Sequence, residues 1–271
     1  MHKHDNASRR ALRRRTVAFL IKHRREKSPV YEVVSRIRRN SWRAALFGGA
    51  ARDLMLDGVS ARPRDIDLVV EDVSADELRA EFRDLVVRQT RFGGLHLSCK
   101  GFLFDIWPLA DTWAFKNVPN LEPTLSNLPK TTFFNVEAVA LELVTTPGRA
   151  RTIYSEGFFE AIARGCLSVN LPQNPFPELC VLRALLTAIK FNLAMTAELG
   201  DYIINHGSSI SARDFTELQL SHYGSVRFDG NKVRSWIESI FEKRTVKKQL
   251  LIPPPILRPE QLKLFDCARP C

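Results

Sequence analysis

Apolar residues recur along this chain in three rhythms, and each belongs to a different stretch. In residues 1–43, Leu12, Val17, Phe19, Leu20 and Ile21, then Val30, Val33, Val34 and Ile37, fit two helices, with Ser28-Pro29 as the break between them. From residue 44 to about 144, short strands alternate with short helices. Residues 44–47 read as an apolar strand ending at Gly48-Gly49, and 50–56 as a helix stopped by Gly58. Residues 66–70 read as a strand, and 75–84 as a helix with Ser74 as its N-cap. Strands at 95–99 and 102–107 flank Lys100-Gly101, the signature of a tight hairpin turn. Residues 134–144 are largely apolar and fit either a helix or a strand.

Beyond Gly148 the chain reads as mostly helical. Leu179, Leu182, Leu186, Ile189 and Leu193 recur at three- and four-residue steps, which is one buried helix face. Residues 231–243 form another candidate helix, and Pro253-Pro254-Pro255 opens a tail with no assigned structure. The expected organisation is a basic helical arm (1–43), an α/β head (44–147), a helical neck-like domain (148–245) and a tail (246–271). There are no internal repeats.

Composition adds one thing to this outline. The 271 residues carry a formal net charge of +10, which favours partners bearing phosphate or serves solubility, with charge alone not separating the two. The five cysteines (Cys99, Cys166, Cys180, Cys267, Cys271) are scattered and lack zinc-ligand spacing, so free thiols in a reducing compartment, by default the cytoplasm, are expected. No apolar run is long enough to cross a bilayer, and the N-terminus lacks the apolar core of a secretory signal. No membrane partner is expected.

The chemistry concentrates in Leu46-Phe47-Gly48-Gly49-Ala50-Ala51-Arg52-Asp53-Leu54 and Arg62-Pro63-Arg64-Asp65-Ile66-Asp67-Leu68. Gly-Gly between a strand and a helix lets backbone approach a ligand and leaves helix N–H groups for a phosphate. On a strand, Asp65 and Asp67 point to one face while Ile66 points to the other. Two carboxylates side by side repel, so a pair held this way is useful chiefly with a cation, and oxygen-only ligands suit Mg²⁺. Asp105, in Phe104-Asp105-Ile106-Trp107, supplies a third acid if its strand pairs beside 66–70. Each piece alone has a plainer explanation: a simple turn, a solvated strand edge, an acid paired with an arginine. The combination in this order is the specific signal.

This order of residues resembles the head domain of class II CCA-adding enzymes and bacterial poly(A) polymerases, within the DNA polymerase beta nucleotidyltransferase superfamily. The family pattern runs roughly Gly-Gly-x-Val-Arg-Asp-Leu, then a basic residue and Asp-Ile-Asp-Leu. The chain supplies Gly48, Gly49, Arg52, Asp53 and Leu54, then Arg64, Asp65, Ile66, Asp67 and Leu68. The family's Phe-Gly-Thr falls on Phe92-Gly93-Gly94 and its third acid on Asp105. Downstream, Phe134-Asn135-Val136-Glu137-Ala138-Val139-Ala140 looks like Phe-Thr-Ile-Asn-Ala-Leu-Ala, and Leu179-Cys180-Val181-Leu182-Arg183-Ala184 like the opening of the family's neck helix. The likeness spans roughly residues 44–200.

The resemblance implies an α/β fold with a small mixed sheet in the head and a helical neck. It implies transfer of a nucleoside monophosphate from a nucleoside triphosphate to an acceptor hydroxyl, with release of pyrophosphate. Asp65, Asp67 and Asp105 would hold two Mg²⁺ ions, and Gly48, Gly49, Arg52 and Arg64 would bind the triphosphate. The departures are equally specific. The Asp and Arg that read the incoming base in the family fall here on Pro177 and Cys180, and the Arg-Arg-Asp before Phe-Thr-Ile-Asn is Thr131-Thr132-Phe133. The expected acceptor is an RNA 3′ end, such as that of tRNA. A protein, small molecule or signalling nucleotide as acceptor, or an RNA-binding protein without chemistry, are the alternatives.

Other residues divide between functional and structural readings. Arg52 either binds phosphate or pairs with Asp53 or Asp57, and Arg62 and Arg64 either contact phosphate or offset the acids' charge. His96, Trp107, Trp113 and Phe115 read as packed side chains. The arginines of the N-terminal arm suit RNA, a docking partner or a solvated face, with RNA first because the arm adjoins a nucleotidyltransferase-like head.

Overall fold

A computed structural model describes residues 2–22, 28–58, 63, 65–143 and 149–256. It comprises two compact units, Met1–Glu160 and Ala161–Cys271.

The first unit opens with α1 (His2–Lys22) and α2 (Pro29–Arg39), followed by β1 (Ala44–Phe47), α3 (Gly49–Asp57), β2 (Asp65–Val70) and α4 (Ala75–Phe82). Next come β3 (Val86–Gln89), β4 (Leu95–Cys99), β5 (Phe102–Pro108), α5 (Trp113–Asn117), β6 (Val139–Glu142) and β7 (Ile153–Ser155). These strands form one mixed sheet in the order β3-β4-β5-β2-β1-β6-β7. Only β2 and β5 run parallel; every other neighbouring pair is antiparallel.

Alternation along the strands gives the sheet two different faces. Leu46, Ile66, Leu68, Val70, Leu95, Leu97, Phe104 and Ile106 are all buried. Helix α3 packs on β1, β2 and β6, and α4 on β4 and β5. The other face carries Ala45, Phe47, Val69 and Ala140, covered by Leu109, Leu125 and Leu128 from the segment after β5, with Trp107, Phe115 and Tyr154 packed alongside. Asp65, Asp67 and Asp105 share this second face by the same alternation.

Local chemistry explains most boundaries. Ser74 caps α4 in a reciprocal capping box with Glu77. Lys100 and Gly101 have φ of 48° and 81°, the left-handed pair that a two-residue hairpin turn requires. Residues 134–144 resolve into a 3-10 turn over Asn135–Glu137 and then β6, as far as the described residues go. The sheet continues past Gly148, because β7 pairs with β6. Three residues hold too few alternating positions to announce that strand in the sequence.

The N-terminal helix is docked on the head. Leu12, Thr16 and Phe19 are buried, and α1 packs against α3. Several of its arginines make the attachment: Arg9 donates to Ser155 Oγ at 2.9 Å and to the Ile153 carbonyl at 3.3 Å, and Arg13 donates to the Arg151 carbonyl at 2.7 Å. Arg15 donates to the Met55 carbonyl. The arm's charge is therefore partly a structural adhesive, not wholly an open phosphate-binding surface.

The units divide within α6 (Phe158–Arg164). The second unit contains β8 (Cys166–Leu167), α7 (Pro177–Lys190), β9 (Ala194–Thr196), α8 (Ala197–Gly207), α9 (Ala212–Tyr223), α10 (Gly230–Phe241) and β10 (Leu251–Ile252). Helix α8 packs on α7 and α10, and α9 packs on α10. Leu182, Leu186 and Ile189 form the buried face of α7 that their spacing predicts. The unit is less purely helical than expected, because β8, β9 and β10 form a small sheet. Strands of two or three residues have no periodicity to read. Among the described residues, no helix is long and apolar enough to cross a membrane.

Candidate active site

Parallel pairing of β2 with β5 sets the geometry. The register places Asp65 opposite Leu103, Ile66 opposite Phe104 and Asp67 opposite Asp105. Asp67 and Asp105 are thus neighbours on adjacent strands, and Asp65 is two residues along β2 on their face. Ile66, Phe104 and Ile106 fix this register by being fully buried on the opposite face. Asp65 and Asp67 are half-buried, facing out at the end of the strands away from the apolar cluster around Val69.

The Gly48-Gly49 turn adjoins these acids. Gly48 has φ 64° and ψ −128°, a conformation that side chains rarely adopt, and a Cβ built on it would lie 3.8 Å from Asp67 Oδ2. Its N–H donates to the Val139 carbonyl at 3.1 Å, which ties the turn to β6. The Gly48 N–H is thus engaged within the fold. The N–H groups that a strand-to-helix turn offers a phosphate are those of the first turn of α3, from Gly49 onward.

Arg52, in α3, is held between two acids. Its guanidinium meets Asp53 Oδ1 at 2.8 Å and Glu137 Oε1 at 2.5 Å, and all three side chains are about nine-tenths buried, with exposures of 11%, 9% and 11%. The sequence anticipates the Asp53 partner but not Glu137, which comes from the turn before β6. Arg64 lies outside the described residues. His96, read from the sequence as a packed side chain, touches the site: its Nδ1 hydrogen-bonds Oδ1 of Asp105, with the rings and carboxylate 18% and 29% exposed. The register provides this contact, since β4 pairs with β5 antiparallel and places His96 opposite Asp105. That pairing follows from counting outward from the Lys100-Gly101 turn, a signal present in the sequence. Close packing beneath it involves Gly94, where an added Cβ would lie 3.0 Å from the Trp107 Cβ.

No group of three or more His, Cys, Asp or Glu side chains among the described residues is drawn together tightly enough to hold an ion as it stands. The three aspartates nevertheless share one face, present oxygens only, and include a registered pair, which is the donor chemistry that suits Mg²⁺.

Comparison with known proteins bears on the fold. No family model matches the chain, and no curated protein matches it in sequence. Solved structures do match. A CCA-adding enzyme in complex with ATP superposes with a TM-score of 0.55 at 15% identity, covering 89% of this chain and 56% of that one. A tRNA-processing enzyme in an apo form gives 0.52 at 21%, covering 79% and 58%. A tRNA nucleotidyltransferase complexed with a primer tRNA and an incoming ATP analogue gives 0.51 at 20%, covering 80% and 62%. The fold is that of the CCA-adding enzymes' nucleotidyltransferase head. The chain spans little more than half the length of these proteins.

Within this CCA-adding-type fold, α7 stands where the sequence likeness puts the neck helix. Pro177 is its first residue, Cys180 is 1% exposed, and Glu178 is exposed. A buried thiol and a proline present no strong hydrogen-bonding edge to a base. Burial also pushes the nearby Tyr202 phenol well above its ordinary range, with Cys180 adding to the effect, so that residue stays neutral.

Proposed function

We propose that this chain is a metal-dependent nucleotidyltransferase that transfers a nucleoside monophosphate from a nucleoside triphosphate to an RNA 3′-hydroxyl, of the tRNA class. The observation that carries the reading is the register of Asp67 with Asp105, with Asp65 on the same face and the Gly48 turn against Asp67. The fold shared with tRNA-processing enzymes supports the acceptor class.

Asp65, Asp67 and Asp105 would hold two Mg²⁺ ions, which when bound stabilise charge on the attacking and leaving oxygens of an in-line displacement. The acceptor oxygen attacks the α-phosphorus, the bond to the β-phosphate oxygen breaks, and pyrophosphate leaves. Asp105 would help take the hydroxyl proton, its carboxylate oriented by the hydrogen bond to His96. Gly48 would contribute its turn, and Gly49 opens the helix whose first-turn N–H groups would bind the triphosphate. Arg52, its charge already met by Asp53 and Glu137, would assist by bracing that turn, and Arg64, which precedes the acid strand in sequence, would be a further phosphate ligand. Such catalysis is positioning plus charge stabilisation, without a covalent enzyme intermediate.

The test is incubation with each labelled triphosphate, Mg²⁺ and total cellular RNA, with sizing and sequencing of whatever is labelled. Labelled RNA 3′ ends from the native chain and none from Asp67→Asn are expected. Pro177 and Cys180 at the base-reading positions favour an acceptor other than RNA as the second reading. Label on protein or small molecules instead of RNA would establish it, and equal labelling by Asp67→Asn would overturn the transferase itself.

A further inference from the structure

Between α1 and α2 lies a cavity of about 240 Å³, lined by Val17, Leu20, Val30, Tyr31, Val34, Ser35, Arg38 and Arg151. Its lining is of two kinds. Val17, Leu20, Val34 and Tyr31 are only partly covered, so the helices leave apolar surface open inside it. Two arginines also line it, the exposed Arg38 and the half-buried Arg151. Arg9, Arg13 and Arg15 dock α1 onto the head, but no acid among the described residues pairs with Arg38 or Arg151 within salt-bridge distance. Arg151 donates through one nitrogen to the Leu143 carbonyl at 3.2 Å, while its Nε is buried with no hydrogen-bond partner among the described residues. Burial, with a smaller contribution from the Arg38 charge, pushes Arg151 below its ordinary range. The unsatisfied buried donor of Arg151 is costly unless an acceptor completes it, and the neighbouring Arg38 charge favours an anion in that role.

We propose that this cavity binds one nucleotide of the RNA acceptor, its phosphate held by Arg38 and Arg151 and its base against Val17, Leu20, Val34 and Tyr31. An anionic group joined to a flat apolar body matches the cavity's two kinds of lining, and guanidiniums are well shaped for phosphate oxygens. The inference rests on RNA as the acceptor, as proposed above, but adds a site remote in sequence from the aspartates.

The experiment measures binding without chemistry. Fluorescence anisotropy of a short labelled single-stranded RNA is followed with the full chain in EDTA, without triphosphate, across a salt series. Arg38→Gln removes the charge of a side chain that makes no hydrogen bond among the described residues, and Val34→Trp fills the cavity while leaving both arginines. Each is expected to weaken binding about ten-fold, and Arg38→Gln should lower the salt slope by about 0.7, the single-strand value for one phosphate. At saturating RNA, kcat should be kept and KM raised. Adenosine 5′-monophosphate should displace the RNA better than inorganic phosphate does at the same concentration. Unchanged affinity in both variants overturns the site, as does equal displacement by inorganic phosphate. The transferase reading fails separately, through the Asp67→Asn turnover comparison, so the two failures are distinguishable.

Discussion

His96 on β4 hydrogen-bonds through Nδ1 to Oδ1 of Asp105, its antiparallel partner on β5. An imidazole in this position restrains the rotamer of a carboxylate whose oxygens, in the proposed reaction, would face the reacting groups. Replacing His96 with Phe keeps a flat ring and removes the bond. Turnover should fall about 10- to 100-fold, the usual range for losing a partner that orients a ligand, with the melting temperature little changed. His96→Gln, which retains a hydrogen-bonding group, should recover part of the loss. If His96→Phe and the native chain have equal kcat, the contact is packing only.

Gly48 and Gly49 differ in what they tolerate. Gly48→Ala forces a side chain into φ 64°, and should cost roughly 1–2 kcal/mol or more through strain alone. Its new Cβ would sit 3.8 Å from Asp67 Oδ2, an ordinary contact, so the cost lies in the backbone and not in a clash with the acid. Gly49→Ala meets only the Arg52 side chain at 3.4 Å and has no left-handed backbone to strain. Urea unfolding should show a clear loss for the first and little for the second.

Arg52 bridges two acids that are buried with it. Arg52→Met removes the guanidinium that Asp53 and Glu137 share, a change that should cost about 3–5 kcal/mol. The triple replacement with Asp53→Asn and Glu137→Gln should recover much of that, because the stranded charges go too. Denaturant midpoints for the three chains check this. Near-native stability of Arg52→Met would show the bridge to be incidental.

Acid lability should trace partly to Glu142. Burial pushes its carboxyl up, but hydrogen bonds from Thr152 and Arg43 outweigh this and hold it below 4.5. A carboxyl lowered on folding stabilises the fold above its unfolded pKa, and that contribution is lost as pH falls through the lower folded value. Stability should therefore decline below about pH 4.5, and Glu142→Gln should make that decline shallower. Asp84 and Glu32, both held low chiefly by hydrogen bonds from Arg36, contribute over the same range and leave a residual slope. Urea midpoints measured from neutral pH downward provide the comparison.

The parts of this molecule that were readable in the sequence are those fixed by local chemistry. Ser74 and Glu77 declare a helix start, Lys100-Gly101 declares a hairpin, and the Asp-Ile-Asp alternation separates the acids from the core. What escaped is set by partners far along the chain. The β3 strand has one half-buried and three exposed residues, so it has no apolar rhythm and exists through its pairing with β4. The Glu137 partner of Arg52 is 85 residues away, and Ser155 Oγ reaches Arg9 across 146. No window along the sequence spans such distances. His96 is the intermediate case, because its pairing with Asp105 can be counted from the turn once both strands are assigned.

The interleaving of acids and core on β2 also limits how this protein can change. Ile66 is buried among Phe104 and Ile106 while Asp65 and Asp67 look the other way. Substitutions can alter one face at a time. An insertion or deletion of one residue within β2 cannot, since it would turn the carboxylates into the interior and the isoleucine outward together. Length variation among descendants of this chain should therefore collect in the connections around the strand, while β2 itself drifts by substitution alone.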